Sequence, residues 1–270
     1  MWLDGALIPE DDARISPQNR GFLYGDGCFE TVRIHGGAPF RIDAHFERLR
    51  VGLEVLRIEP PWSVDDLRQG ARKVVESNSV VEGLLRMTII AGERSTTRGM
   101  ATITTRALPE IPPQPALHVA ATVRRLSGPL SQIKSISRVA ESVALREAEA
   151  EGAFDALLLN ERGRVVETTA RNVFLVSGGA LLTPATYEGA LPGITRSAVL
   201  EIAARAKIRA RETSVSLDRL RGADEVFLSG SGVGVLGIAS VDGHRLDAAG
   251  PVTQKIQDGY ATLLRLDSKW

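Results

Sequence analysis

The spacing of apolar residues changes several times along the chain, and each change marks an element. Near the N-terminus WLDGALI carries a DG hairpin signal, and CFETVRIHGGAPF alternates around a GG turn, so Met1 to Gly36 reads as short strands and turns. Over IDAHFERLRVGLEVL the period lengthens. Phe46, Leu49, Leu53 and Leu56 fall on one face, which predicts a helix from Ile42 to Leu56 with Asp43 as its N-cap. Pro60 and Pro61 end that region. Ser63 then caps a second predicted helix, SVDDLRQGARKVVES, with Asp66 as the acid of a capping box. GLLRMTIIAG and ATITTRAL read as strands joined by the charged loop ERSTTRGM.

Leu108 to Pro115, LPEIPPQP, holds four prolines in eight residues and continues neither helix nor strand. It places a domain boundary there, giving 1–113 and 114–270. ALHVAATVRR opens the second part as a strand. A helix and a hairpin follow, then a helix started by GITR (SAVLEIAARAK), a strand near ARETSVS and a short helix, LDRLRG. DEVFLSGSGVGVLGIASVDGHRL reads as two strands separated by glycines and then a DG turn, and VTQKIQDGYATLLRL is a closing helix. Strands and helices intermingle without regular βαβ alternation, so the fold class is α+β.

The chain has 270 residues, 43% hydrophobic and 24% charged, as in an ordinary globular protein. Lys plus Arg equals Asp plus Glu, 33 each, so no basic excess points to nucleic acid or an anionic membrane. One cysteine fits a reducing compartment. MWLDGALIPEDDARISP is too acidic and too broken for a signal peptide, and no apolar run approaches the ~20 residues of a membrane span. The expected location is the cytoplasm.

Three features carry chemistry. Lys134 precedes a helix; it is either a solvated lysine or an imine-forming amine, and the latter needs a lowered pKa, which burial or the nearby Arg138 would supply. Glu167 stands in VVETTARNVFLV, where alternation puts Val165, Glu167 and Thr169 on one face of a strand; it either faces water or contacts a pyridinium nitrogen. In GITR, Gly193 lets the backbone approach an anion, and the amides of Ile194 and Thr195 open a helix whose dipole favours phosphate, although Thr195 also reads as an ordinary N-cap. Ser229, Gly230 and Ser231, after the strand DEVFL, would finish a phosphate cup. Amine, acid and phosphate cradle are what pyridoxal phosphate requires. Gly232, Gly234 and Gly237 spell G-x-G-x-x-G, but the residues after them are β-like and offer no helix N-terminus for a pyrophosphate. The four histidines, His35, His45, His118 and His244, show no metal-ligand spacing, and Cys28 reads as a small buried hydrophobe before a partner of His45.

RGFLYGDGCFET, HFERL, IKSISR, VETTARNVF, LPGITR and ADEVFLSGS, in this order, resemble the class IV aminotransferases, the fold type IV pyridoxal-phosphate enzymes. The resemblance covers nearly the whole chain. It implies a small N-terminal α/β domain, with the substrate pocket and a phosphate arginine, and a larger C-terminal pseudo-barrel domain that binds the coenzyme. It makes Lys134 the Schiff-base lysine and Glu167 the partner of the pyridine nitrogen. Arg48 would bind the phosphate together with the amides of Ile194 and Thr195 and the Ser231 hydroxyl, beside Gly193 and Gly230. Leu191 would pack behind the ring, Arg138 would lie at the coenzyme, and Tyr24 and Phe29 would be pocket walls. A homodimer is also implied.

Within the family, the branched-chain enzymes carry K-x-G-G-N-Y where this chain has Lys134-Ser-Ile-Ser-Arg138. Arg138 and GDGCFET look like aminodeoxychorismate lyase, whose motif is often K-x-x-N-R, yet Ser137 replaces the asparagine. The arginine expected after the strand in the usual D-amino-acid enzyme falls on Ala91. Arg86, amid Leu, Met and Ile, and Arg98 in the loop remain for a substrate carboxylate. The expectation is a transaminase for amino acids, of D configuration, with an α-keto acid acceptor. The lyase is the alternative, ahead of a branched-chain enzyme or a non-catalytic coenzyme carrier.

Overall fold

The computed structural model describes residues 1–60, 62–93 and 99–270. Pro61 and residues 94–98, which include Arg98 and most of ERSTTRGM, lie outside the described residues. The chain forms two compact units. One comprises Met1–Leu108, Ile133–Arg138 and Leu264–Trp270; the other comprises Pro109–Gln132 and Val139–Leu263. The second thus begins within the proline-rich stretch, and the short run around Lys134 belongs to the first.

In the first unit β1 (Trp2–Leu3) and β2 (Ala6–Leu7) form the DG hairpin, with Asp4 and Gly5 both at positive φ. The short α1 (Arg20–Tyr24) leads into β3 (Gly27–His35), which turns through Gly36 and Gly37 into β4 (Ala38–Pro39). α2 (Ile42–Leu56) and α3 (Val64–Ser77) follow, then β5 (Gly83–Ile90) and β6 (Met100–Arg106). Among the described residues the sheet order is β2-β1-β6-β5-β3-β4. Ser63 and Asp66 close the expected capping box on α3. Asp43 does not cap α2: the N-cap is Arg41, in the left-handed region at φ 48 and without a side-chain cap bond, so Asp43 lies inside the first turn.

Alternation along β3 divides its side chains. Cys28, Glu30, Val32 and Ile34 face the core with Phe46, Leu49 and Leu53 of α2 and with Leu85, Met87 and Ile89 of β5. Each fully buried aliphatic side chain here contributes roughly 1.5–3 kcal/mol. Phe29 is on the other face, as are Arg86 and Thr88, the latter directly opposite Phe29 in the ladder. Residues 133–138 attach to the start of β3. Phe29 N donates to the Lys134 carbonyl at 2.9 Å, Ile136 N donates to Gly27 O at 3.0 Å, and Cys28 and Ser135 form an antiparallel bridge.

The second unit contains β7 (Ala116–Arg125), α4 (Val139–Ala150), β8 (Asp155–Asn160), β9 (Arg164–Thr168), β10 (Asn172–Ser177) and β11 (Ala180–Pro184). α5 (Ile194–Arg205), β12 (Ala210–Thr213), β13 (Val215–Ser216) and α6 (Leu217–Arg221) come next. β14 (Glu225–Gly230), β15 (Gly234–Gly237), β16 (Ser240–Val241), β17 (His244–Arg245) and α7 (Pro251–Asp267) complete the chain. Its sheet runs β12-β11-β10-β9-β8-β7-β16-β17; β14 joins β10 and β15, and β13 joins β9. VVETTARNVFLV is not one strand. The turn between β9 and β10 is fixed by buried Asp155, which accepts from both Thr168 and Thr169 hydroxyls and pairs with Arg171. Thr169 therefore sits in the turn. The glycine-rich run passes from β14 into β15, so strand and not helix follows its first glycine.

Candidate active site

The expected residues form two groups, one in each unit. In the first, Phe29 is 7% exposed and serves as a floor. Lys134 Nζ lies 4.6 Å from its ring centroid, the Arg86 guanidinium carbon 3.9 Å and that of Arg138 6.0 Å. Cations above an aromatic face are attracted by its quadrupole. They also repel one another. Burial, with Arg106 and Arg138 adding to it, brings the Arg86 guanidinium down to about 10. Arg86 is thus neither an outward-facing surface arginine nor an isolated charge in the core. Tyr24 differs from Phe29: it is 65% exposed on α1, beneath the Arg20 guanidinium at 5.2 Å. Ser137 ties the IKSISR run to RGFLYGDG, its hydroxyl donating to Gly25 O at 2.9 Å.

Behind this floor, on the core face, is a charged cluster that the sequence reading missed. Glu30 is fully buried and receives Arg48 twice, Nε at 2.8 Å and Nη2 at 2.6 Å; His45 Nδ1 is 2.6 Å from the same carboxylate. Burial pushes Glu30 up, but Arg48 and then His45 outweigh it and hold the carboxyl down at about 2. Burial drives His45 below its ordinary value despite Glu30, with Arg48 and Lys134 adding to the burial effect. Neutral His45 therefore donates from Nδ1. The alternation that puts Glu30 on the same face as Cys28, Val32 and Ile34 was the available signal: an acid on an apolar face needs a buried cation.

Both shifts destabilise the first unit in acid. His45, depressed when folded, gains a proton more readily when unfolded, so stability falls as the pH drops below about 6.5. Glu30 contributes stability that is complete above its ordinary 4.5 and is lost as the pH falls toward about 2. The three tryptophans, Trp2, Trp62 and Trp270, all belong to this unit. Urea unfolding followed by tryptophan fluorescence is expected to show stability declining by up to roughly 1.4 kcal/mol per pH unit for each such proton. A flat profile between pH ~7 and ~4 contradicts the assignment.

Cys28 packs against Gly52 of α2 at 1% exposure. Burial, with Glu30 and Asp26 adding to it, pushes its thiol up to about 12. Since thiolate is the reactive form, a disulfide reagent is expected to modify Cys28 only after denaturation; rapid labelling of the native protein contradicts this.

In the second unit Glu167 is 7% exposed and held on three sides. Oε2 accepts from Leu191 N at 3.0 Å and Asn172 Nδ2 at 3.2 Å, while Oε1 lies 3.3 Å from Arg125 Nη2. The same Arg125 meets Glu141 of α4 at 2.5 Å. Leu191 thus acts on Glu167 through its backbone, and its carbonyl accepts from Asn172 at 2.9 Å. No local pattern in the sequence singles out Arg125 or Asn172 for this role. Gly193, not Thr195, is the N-cap of α5, and no side chain caps the first amides; Thr195 is 4% exposed just inside the helix. A Cβ at Gly193 would run into the Asn172 amide oxygen. Ser229 lies opposite Asn172 in the β10–β14 ladder, buried, and its hydroxyl has no hydrogen-bond partner among the described residues. Gly230 and the half-buried Ser231 follow at the end of β14. Among the described residues no group of three or more His, Cys, Asp or Glu is arranged to hold a metal, and no helix is long and apolar enough to cross a membrane.

Residues 27–241 match the family described as amino-transferase class IV. The chain belongs to that family. A branched-chain-amino-acid aminotransferase of Pseudomonas aeruginosa is 29% identical, over 98% of this chain and 92% of the relative. A D-alanine aminotransferase of Listeria monocytogenes is 28% identical, over 96% and 94%. The solved branched-chain aminotransferase of the thermophilic archaeon Thermoproteus uzoniensis, with norvaline, superposes with a TM-score of 0.91 at 28% identity, covering 98% of this chain and 94% of the other. The fold is that of the fold type IV enzymes. As a class IV aminotransferase, the chain uses pyridoxal 5'-phosphate. Its own residues fit that group. In the first unit Lys134 would supply the amine and Arg48 a cation; in the second Glu167 would supply a held carboxylate, and the uncapped start of α5, with the unpartnered Ser229 hydroxyl, donors for phosphate.

Proposed function

We propose that this aminotransferase moves the amino group of a D-amino acid to an α-keto acid. The observation that carries the reading is the grouping of one amine and two guanidinium groups, Lys134, Arg86 and Arg138, around the Phe29 ring. Amino and keto acids both bring a carboxylate, and Arg86 provides the planar cation for it. Lys134 would hold the coenzyme and, once displaced from it by substrate, would move the proton at the substrate Cα. When bound, pyridoxal phosphate supplies the electron sink for the pair left at that carbon. Glu167 would meet the ring nitrogen, and Arg125, Asn172 and the Leu191 amide fix where its carboxylate sits. Arg48, the amides of Ile194 and Thr195, and Ser231 take the phosphate. Phe29, 7% exposed beneath these groups, would limit water at the reacting carbon. The Ser-Ile-Ser-Arg run after Lys134 stands where the branched-chain enzymes have a glycine pair, asparagine and tyrosine, which argues against a branched-chain enzyme.

A branched-chain specificity is the second reading, supported by the Pseudomonas relative. A donor screen of the holoenzyme with 2-oxoglutarate separates them. D-alanine is expected to yield glutamate and pyruvate; glutamate from L-leucine and L-valine alone selects the branched-chain reading. Pyruvate released from aminodeoxychorismate without any keto acid selects the lyase. Arg86→Leu is expected to raise KM for the carboxylate substrates by about tenfold or more, as a lost charge-assisted pair does. An unchanged KM removes Arg86 from the substrate site.

A further inference from the structure

Arg48 is the cation read above as gripping the coenzyme phosphate, and its direction is fixed by a buried carboxylate. We propose that Glu30 is a positioning residue for that phosphate: it locks the Nε–Nη2 edge of Arg48, so the opposite edge of the guanidinium is presented in one direction. The inference rests on the Arg48 reading and adds what makes that arginine selective.

The geometry is that of a fork. Oε1 takes Nε at 2.8 Å and Oε2 takes Nη2 at 2.6 Å, so one whole edge of the planar guanidinium is committed to Glu30. Nη1 and the outer hydrogen of Nη2 then point away from the carboxylate. The Arg48 side chain keeps 11% of its surface where Glu30 keeps 0% and His45 1%, so the arginine is the member of the cluster that is not wholly enclosed. The carboxylate itself cannot rotate. Its Oε2 also receives His45 Nδ1 at 2.6 Å, and its backbone is opposite Met87 in the centre of the β3–β5 ladder. His45 and Arg48 are three residues apart on α2, so one helix turn delivers both donors to one acid. A pair serving only stability would be a costly choice here, since apolar side chains of like volume often serve a core as well or better. Holding a long, flexible arginine in one orientation before the anion arrives reduces the entropy lost on binding.

The test compares pyridoxal phosphate with pyridoxal, which lacks the phosphate, as ligands of the full chain. Equilibrium affinities are read from the absorbance of the bound coenzyme for the parent, Glu30→Gln, Arg48→Met and the double variant. The parent is expected to prefer pyridoxal phosphate. Glu30→Gln is expected to cut that preference about tenfold or more while leaving pyridoxal affinity unchanged. In the Arg48→Met background Glu30→Gln is expected to change the preference no further, because its effect passes through Arg48. Should Glu30→Gln weaken both ligands equally, or leave the preference intact, Glu30 is only structural and the proposal fails. If Glu30→Gln does not fold, Glu30→Asp keeps the charge but withdraws the fork by one methylene; an unaltered preference there also overturns it. Failure of the underlying reading looks different: Arg48→Met itself would then retain the parent's preference.

Discussion

Lys134→Ala lowers kcat by about 10²–10⁴-fold or more, because the variant loses the only amine placed at the Phe29 floor among the described residues. Proton movement at the substrate Cα needs a close base, and a guanidinium cation such as that of Arg86 or Arg138 has no lone pair to accept the proton. The loss is expected in kcat, with the substrate carboxylate still met by Arg86, so KM changes less. Added small primary amines should restore part of the rate. Single-turnover kinetics with a deuterated donor would test this: a variant retaining turnover within about tenfold of the parent removes Lys134 from the chemistry.

The second large effect is at Arg125. Arg125→Met leaves Glu141 and Glu167, with side chains 8% and 10% exposed, without the cation they share. Removing one partner from a buried ion pair costs up to about 3–5 kcal/mol, because the remaining desolvated charge loses its compensating cation. The loss is expected in denaturant unfolding followed by far-UV circular dichroism. On the proposed reading activity is expected to fall as well, because Arg125 is one of the groups that fix where the Glu167 carboxylate sits. The Arg125→Met/Glu141→Gln double variant is expected to recover stability but not rate. Recovery of both would make Arg125 a purely structural residue.

Local signals in the sequence were legible where the physics is local. The DG and GG turns, the Ser63–Asp66 capping box and the LPGITR motif around Gly193 each depend on residues a few positions apart. α2 keeps its predicted bounds, yet its cap fell to Arg41, because a left-handed residue after Phe40 redirects the chain before Asp43 could act. What the sequence left hidden involves distant partners. Glu30 meets Arg48 across a strand and a helix, and Arg125 reaches Glu167 from another strand. Thr169 moved from strand to turn because Asp155, on another strand, claims its hydroxyl and amide. Amphipathic period says which face is buried; it does not say which side chain waits opposite.

Residues 133–138 have a consequence for dissecting the chain. They are the piece that covers the Gly27–Phe29 end of β3, yet they come after the proline-rich stretch. A fragment cut at that stretch would bare the backbone amides and carbonyls at the start of β3, an unprotected margin of the kind on which chains stack and precipitate. Splitting the gene there yields sticky material and not a free-standing module.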